Sequence, residues 1–255
     1  MTVAKKKYKC GLVLSGGAVR GFAHAGALKA LNEEGIFPDV ISGVSAGTIV
    51  GSLYADGYTP EQIYKLFVDK RLYKFLEFIL PNKGLVKMTG LYKTMMDSLK
   101  AKYFEDLKIP LYVTVTDLNN AKTVYFSKGE LTKMIIASCT IPILFTPMVI
   151  DDVTYIDGGV LNNFPTEPIE HDCEMMVGIN INPIRFQKEF SGMTQVADRA
   201  VHMMIDQLIT PKKAKCNIYI EPDGLEKHAL LDIAKGREMY TLGYKAAKKA
   251  IKEQR

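Results

Sequence analysis

Two glycine-rich turns lie close together near the amino terminus of this chain, and each leaves a short apolar run and opens a helix-like segment. The first is Ser15-Gly16-Gly17-Ala18-Val19-Arg20-Gly21 and the second Gly43-Val44-Ser45-Ala46-Gly47. Leu12 to Leu14 read as a buried strand, and Phe22, Ala25, Leu28, Ala30 and Leu31 recur at roughly helical spacing. Asp39 to Ser42 and Ala46 to Tyr54 repeat the same order of strand, turn and helix. Such a chain is committed to an α/β layer fold with its loops gathered at the carboxyl ends of the strands.

The two turns carry different chemistry. Gly16 and Gly17 reach backbone angles closed to other residues, and they expose amides at a helix start, where the helix dipole favours negative charge. Ser45 falls at the corner of a G-x-S-x-G elbow, flanked by Gly43 and Gly47. There a strained residue presents its hydroxyl at the top of a sheet. A hydroxyl beside an anion site suits nucleophilic catalysis, provided a base takes its proton.

Histidine is scarce: His24, His171, His202 and His228 are the only four. The order Ser45, an aspartate and a late histidine would fit an α/β-hydrolase triad, but one strand-helix unit before the elbow is too little chain for that fold's upstream sheet. All four histidines read as ordinary positions, with His24 packed or solvated on the first helix. Asp157 is the better partner. Thr154 to Ile156 read as a strand end, and Asp157-Gly158-Gly159 follows on a loop freed by two glycines. Asp-Gly is also a common turn pair, so the aspartate alone decides nothing.

Together these segments resemble the patatin-like phospholipase family, in particular its compact bacterial members. The resemblance rests on Leu14 to Gly21, on Gly43 to Gly47 and on Asp157 to Gly159, in the family's order, and covers about residues 8–183. It implies a catalytic dyad without histidine, Ser45 as nucleophile and Asp157 as base. It also implies an oxyanion hole from the amides of Gly16, Gly17 and Ala18, with Arg20 as the basic residue of the first motif. Gly21, Gly43, Gly47, Gly158 and Gly159 support the turns. Ala18 stands where the family more usually has a third glycine, and its amide serves if its φ is negative. The implied activity is hydrolysis of lipid acyl esters through an acyl-enzyme, with no cofactor and no metal.

The expected architecture is a three-layer α/β/α sandwich with a mixed, mostly parallel sheet, formed by residues 1–255 as one domain. Helices are expected at 60–70, 90–103, 130–139, 194–209 and 237–254. Strands are expected at 175–180 and 218–221, with a hairpin of 111–117 and 123–126 around Asn119-Asn120. Cys10, Cys139, Cys173 and Cys216 form no close pairs and read as reduced thiols. Lys5 to Lys7 precede an apolar run too short for a signal sequence, and the apolar stretch 134–150 is broken by Pro142 and Pro147. The expected setting is cytoplasmic.

Residues 65–108 carry ten basic and five acidic side chains, a net of +5 that equals the formal charge of the whole chain. Two readings stand for this stretch. It lies on an anionic membrane surface as a lid, or it packs on the sheet with its lysines solvated. No nucleic-acid partner is implied. Two other function classes fit part of the pattern. Gly16, Ala18 and Gly21 match a degenerate dinucleotide fingerprint with Asp39 downstream, though the second strand runs into Ser45 instead of ending on an acid. A catalytically silent protein retaining the fold is the other.

Overall fold

The computed structural model describes residues 6–69, 88–228 and 232–254. The strands are β1 (Tyr8–Leu14), β2 (Val40–Val44), β3 (Leu111–Asp117), β4 (Lys122–Phe126), β5 (Met148–Ile150), β6 (Val153–Asp157), β7 (Cys173–Ile179) and β8 (Ile218–Ile220). They form one mixed sheet in the order β5-β6-β3-β2-β1-β7-β8, with β4 paired to β3. The helices are α1 (Gly21–Glu33), α2 (Ala46–Ala55), α3 (Pro60–Val68), α4 (Thr89–Ser98), α5 (Leu131–Ser138), α6 (Met193–Lys213) and α7 (Gly236–Gln254).

Burial follows from the strand period. β1 lies between β2 and β7, both parallel to it. Its Leu12 and Leu14 point to one face with Ile41, Val177 and Ile179, under α1 to α5 and α7. Val13 points to the other face with Val40, under the segment around Phe164 and Ile169 and under Ile205 and Ile209 of α6. Both faces are covered, so the central strands read as continuous apolar runs. The expected α/β/α sandwich is thus the observed one.

Several elements differ from the sequence reading. α4 ends at Ser98, because the Asp56 carboxylate accepts from the amides of Lys100 and Ala101 at 2.8 and 3.2 Å and draws the chain out of the helix. Met88, Leu91, Met95, Leu99 and Ala101 are core residues, while 70–87, the centre of the expected lid, lie outside the described residues. α6 continues to Lys213 with Pro211 inside it. β5 was not expected. It joins β6 through Asp151 and Asp152 at φ 48 and 62, a turn with both central residues left-handed.

One pairing detail sets up the site. Val113 and Thr114 of β3 pair with β2 and β4 at once, so those strands occupy opposite edges. Val115 to Asp117 pair with both β4 and β6. β6 therefore takes over the β2 edge where β2 stops. Val44 lies opposite Thr114 and Asp157 opposite Val115, which brings the residue after Val44 beside Asp157.

Candidate active site

The residue after Val44 is Ser45, at φ 51 and ψ −122, a conformation rare for any residue with a side chain. Its carbonyl accepts the amides of Thr48 and Ile49 at 2.9 and 3.2 Å, so it opens α2 directly. The surroundings hold it there. Ser45 N donates to Ser138 Oγ at 2.9 Å, and Ser138 Oγ donates to the Thr114 carbonyl at 2.7 Å. Thr48 Oγ1 completes this knot, 3.1 Å from Ser138 Oγ. A Cβ on Gly47 would run into the carbonyls of Leu14 and Ser15, and one on Gly43 would sit 2.9 Å from the Gly47 backbone. Glycine at both positions lets α2 close onto the end of β1.

Asp157 ends β6 with its side chain buried. Its amide donates to the Thr140 carbonyl at 2.9 Å, and its carbonyl accepts from Thr116 Oγ1 at 3.0 Å. Its Oδ1 accepts the Gly159 amide at 2.7 Å, and the Ser45 side chain lies beside the carboxyl, where it favours the ionised form. Burial pushes this carboxyl up from 3.8 to about 6, against the opposing pull of the Ser45 side chain and the Gly159 amide.

The first turn lies against the elbow. Gly16 adjoins Ser45 so closely that a Cβ on it would come within 3.2 Å of the Ser45 Cβ. Gly17 has φ 149 and Ala18 φ 49, so the condition under which the Ala18 amide would serve, a negative φ, is not met. Two left-handed residues in succession are needed to swing the chain from β1 into the 3-10 turn Ala18–Arg20 that opens α1. At the alanine this costs about 1–2 kcal/mol that a glycine would avoid. Arg20 is buried, and its Nε and Nη2 donate to the His228 carbonyl at 3.2 and 2.8 Å. It ties the turn to the loop after β8 and does not line the cavity at Ser45.

Three of the four histidines do not line the cavity at Ser45. His24 is fully buried, held neutral by burial that lowers its pKa to about 4, with Nε2 2.8 Å from the Ser15 carbonyl. His171 is exposed, and His228 faces Glu238 at 3.5 Å. His202 stands on the cavity wall with Nδ1 3.4 Å from Asp198. The Asp39 carboxylate, the acid of the dinucleotide pattern, accepts the Cys10 amide at 2.9 Å and so braces β1. All four cysteines are free.

A cavity of about 720 Å³ opens at Ser45 and Asp157. Ile141, Pro142, Ile143 and Val160 form part of its wall, and Val201, Met204, Ile205 and Leu208 of α6 another. Ile143 is 90% exposed and sits at φ 74, strained for a β-branched residue. Among the described residues no cluster of histidine, cysteine and acidic side chains is arranged to hold a metal ion.

A family model described as patatin-like phospholipase matches residues 12–169, a span that contains both glycine turns, Ser45 and Asp157. The chain belongs to the patatin-like phospholipase family. The patatin-like chain is 28% identical to the lysophospholipase NTE1 of Kluyveromyces lactis over 92% of its own length and 18% of that protein's. It is 30% identical to an uncharacterised NTE family protein of Mycobacterium bovis, over 67% of its length and 48% of that protein's. It therefore spans less than half of these curated relatives. The crystal structure of VipD from Legionella pneumophila shares the fold, with a TM-score of 0.55 at 14% identity, covering 97% of this chain and 67% of VipD.

Three residues at this patatin-like site escaped the sequence reading. Ser138 anchors the elbow from α5. Asn163 is buried, and its Oδ1 fills the space where a Cβ on Gly16 or Gly159 would have to go. Asn182, just past β7, donates from Nδ2 to the Gly16 carbonyl at 2.6 Å. The one signal available was Asn162-Asn163 following so soon after Asp157-Gly158-Gly159.

Proposed function

We propose that this chain is a serine acyl hydrolase acting on fatty acyl esters of lipids, with Ser45 as nucleophile and Asp157 as general base. The observation that carries this is a strained serine beside a buried carboxylate at the mouth of an apolar cavity. Asp157 takes the Ser45 proton as Oγ bonds to the ester carbonyl carbon. The carbonyl oxygen becomes an oxyanion beside the Gly16 to Ala18 turn, and the amides of Gly16 and Gly17 have no acceptor among the described residues. Collapse expels the alcohol, which receives the proton from Asp157 and leaves an acyl group on Ser45. Water then attacks with Asp157 again as base, and the fatty acid and free Ser45 are regenerated.

A pKa near 6 suits the base, since the group is ionised at neutral pH yet more basic than an ordinary carboxylate. kcat/KM on a soluble nitrophenyl ester is expected to rise about tenfold per pH unit below 6 and to level off above it. A flat profile between pH 4.5 and 7 would remove Asp157 from the role. Fluorophosphonate should label the wild type and leave Ser45→Ala untouched. Equal labelling of both would take the nucleophile's role from Ser45, and no label on either would end the hydrolase reading in favour of a catalytically silent protein. A nucleotide-binding role is disfavoured by Asp39, whose carboxylate is already taken by the Cys10 amide.

The lysophospholipase among the relatives makes a single-chain phospholipid the first substrate to test. The α6 wall would take its acyl chain, and each buried methylene is worth about 0.8 kcal/mol. Leu208→Gln is expected to lower the preference for a dodecanoyl over a butanoyl ester by about 3- to 10-fold while sparing butanoyl turnover. An unchanged ratio would move the chain off α6. Contact with an anionic lipid surface belongs to the same proposal. Exposed Ile143, Val160, Leu161 and Met204 surround or adjoin the opening, and no helix among the described residues is long and apolar enough to cross a membrane. Sedimentation with liposomes of neutral and anionic composition reads that contact.

A further inference from the structure

We propose that Asn182 and His24 are positioning residues that aim the oxyanion-binding amides of Gly17 and Gly16, an inference that rests on the hydrolase reading above.

Both amides belong to peptides whose carbonyls are held by side chains. The Gly16 carbonyl accepts Asn182 Nδ2 at 2.6 Å and the Ser15 hydroxyl at 3.0 Å. The Ser15 carbonyl is 2.8 Å from His24 Nε2. All peptide bonds described are trans, and in a planar trans peptide the N–H points opposite to the C=O. Holding the Gly16 carbonyl therefore directs the Gly17 N–H the other way, and holding the Ser15 carbonyl does the same for the Gly16 N–H. Gly17, Asn182 and Ser45 line one cavity, so the peptide that Asn182 holds borders the space where the ester carbonyl must lie.

The clamps are built for this task. His24 Nδ1 is buried without a partner, and the ring is neutral, so its single proton sits on Nε2 and is donated to Ser15. Asn182 is buried, its amide held by Asn180 Oδ1 at 3.1 Å, and Asn180 Nδ2 is held in turn by Tyr219 and Glu221, both at 3.0 Å. Ser15 Oγ accepts the Ile181 amide at 3.0 Å, which leaves its own proton for the Gly16 carbonyl. A donor on a peptide carbonyl also polarises that peptide and makes its N–H a better donor. Glycine at 17, with φ 149, has no amide preference of its own to resist a rotation, so the aim has to come from outside the turn.

The test is Asn182→Leu, close in volume and without the donor. kcat on a nitrophenyl ester is expected to fall about 10- to 100-fold, less than the roughly 10²–10³ for deleting a donor outright, with KM within about twofold. Affinity for a trifluoromethyl ketone, whose hemiketal with Ser45 carries the oxyanion, should fall in proportion. Affinity for the carboxamide of the same acyl chain should hold. Unchanged kcat overturns the proposal, and so does a lower kcat with ketone affinity intact, because Asn182 would then act on another step. If Asn182→Leu does not fold, Ser15→Ala removes the second donor to the same carbonyl, with an expected loss of about 3- to 10-fold in the same two quantities. Wild-type protein that fluorophosphonate fails to label overturns the hydrolase reading and this proposal together. Labelled wild type with a fully active Asn182→Leu overturns this one alone.

Discussion

Asp157→Asn is expected to lower ester hydrolysis by at least about 10⁴-fold and at the same time to make the protein more stable at pH 8. The two effects share one cause. An asparagine cannot take the Ser45 proton, so the proposed base is lost. It can still accept the Gly159 amide through Oδ1, so the turn keeps its hydrogen bond. What disappears is a buried negative charge. Burial raises the folded-state pKa from 3.8 to about 6, which means the folded protein holds that proton more tightly than the unfolded chain does. The sign follows from linkage: below pH 3.8 the group costs nothing, between 3.8 and 6 the cost builds, and above 6 it is complete. A shift of this size corresponds to about 3 kcal/mol, and at this chain length to roughly 6–12 °C in Tm. Thermal melts of both proteins from pH 4 to pH 8 check it. The curves should converge at the acid end and separate through pH 4–6. An Asn variant less stable than the wild type at pH 8 would show that the carboxylate is held by more than these bonds.

The parts of the fold governed by local order were legible in the sequence. Leu12 to Leu14, Ala46 to Tyr54 and the hairpin about Asn119-Asn120 carry their own periodicity and turn chemistry, and they appear where that chemistry puts them. Elements fixed by distant partners were not legible. α4 stops short of the expected end because Asp56 takes its outgoing amides, and nothing near Ser98 announces that. β5 and β6 turn on Asp151-Asp152, a pair with no glycine to mark left-handed backbone. The site divides in the same way. The elbow, the glycine turn and Asp157-Gly158-Gly159 are written as glycines in sequence, because each needs a close backbone approach at that point. Ser138 and Asn182 act on Ser45 and Gly16 from 93 and 166 residues away, and serine and asparagine at such distances look like any other polar residue. Ala18 does not meet the condition of a negative φ for a related reason. The swing from β1 into α1 is imposed by both elements at once, and the residue between them yields.

Ser45→Ala and Ser45→Gly should be equally inactive and unequally stable. Either change removes the hydroxyl, and loss of a serine nucleophile leaves activity on the order of 10⁶-fold lower. Both also lose the same hydroxyl beside Asp157, so that contribution cancels between them. The difference that remains is backbone. Ser45 sits at φ 51 and ψ −122, where a Cβ is crowded and a glycine is not. Strain of this kind costs about 1–3 kcal/mol, while a glycine forfeits about 0.5–1 kcal/mol through its freer unfolded chain. The glycine variant is therefore expected to be more stable than the alanine variant by about 1 kcal/mol, or about 2–4 °C in Tm. That order is the reverse of an ordinary site inside a helix. Calorimetry on the two proteins side by side measures it without reference to any substrate. An alanine variant as stable as the glycine variant would mean that the elbow conformation costs nothing. In that case the knot of Ser138, Thr48 and Thr114 would be passively following the chain instead of holding it under load.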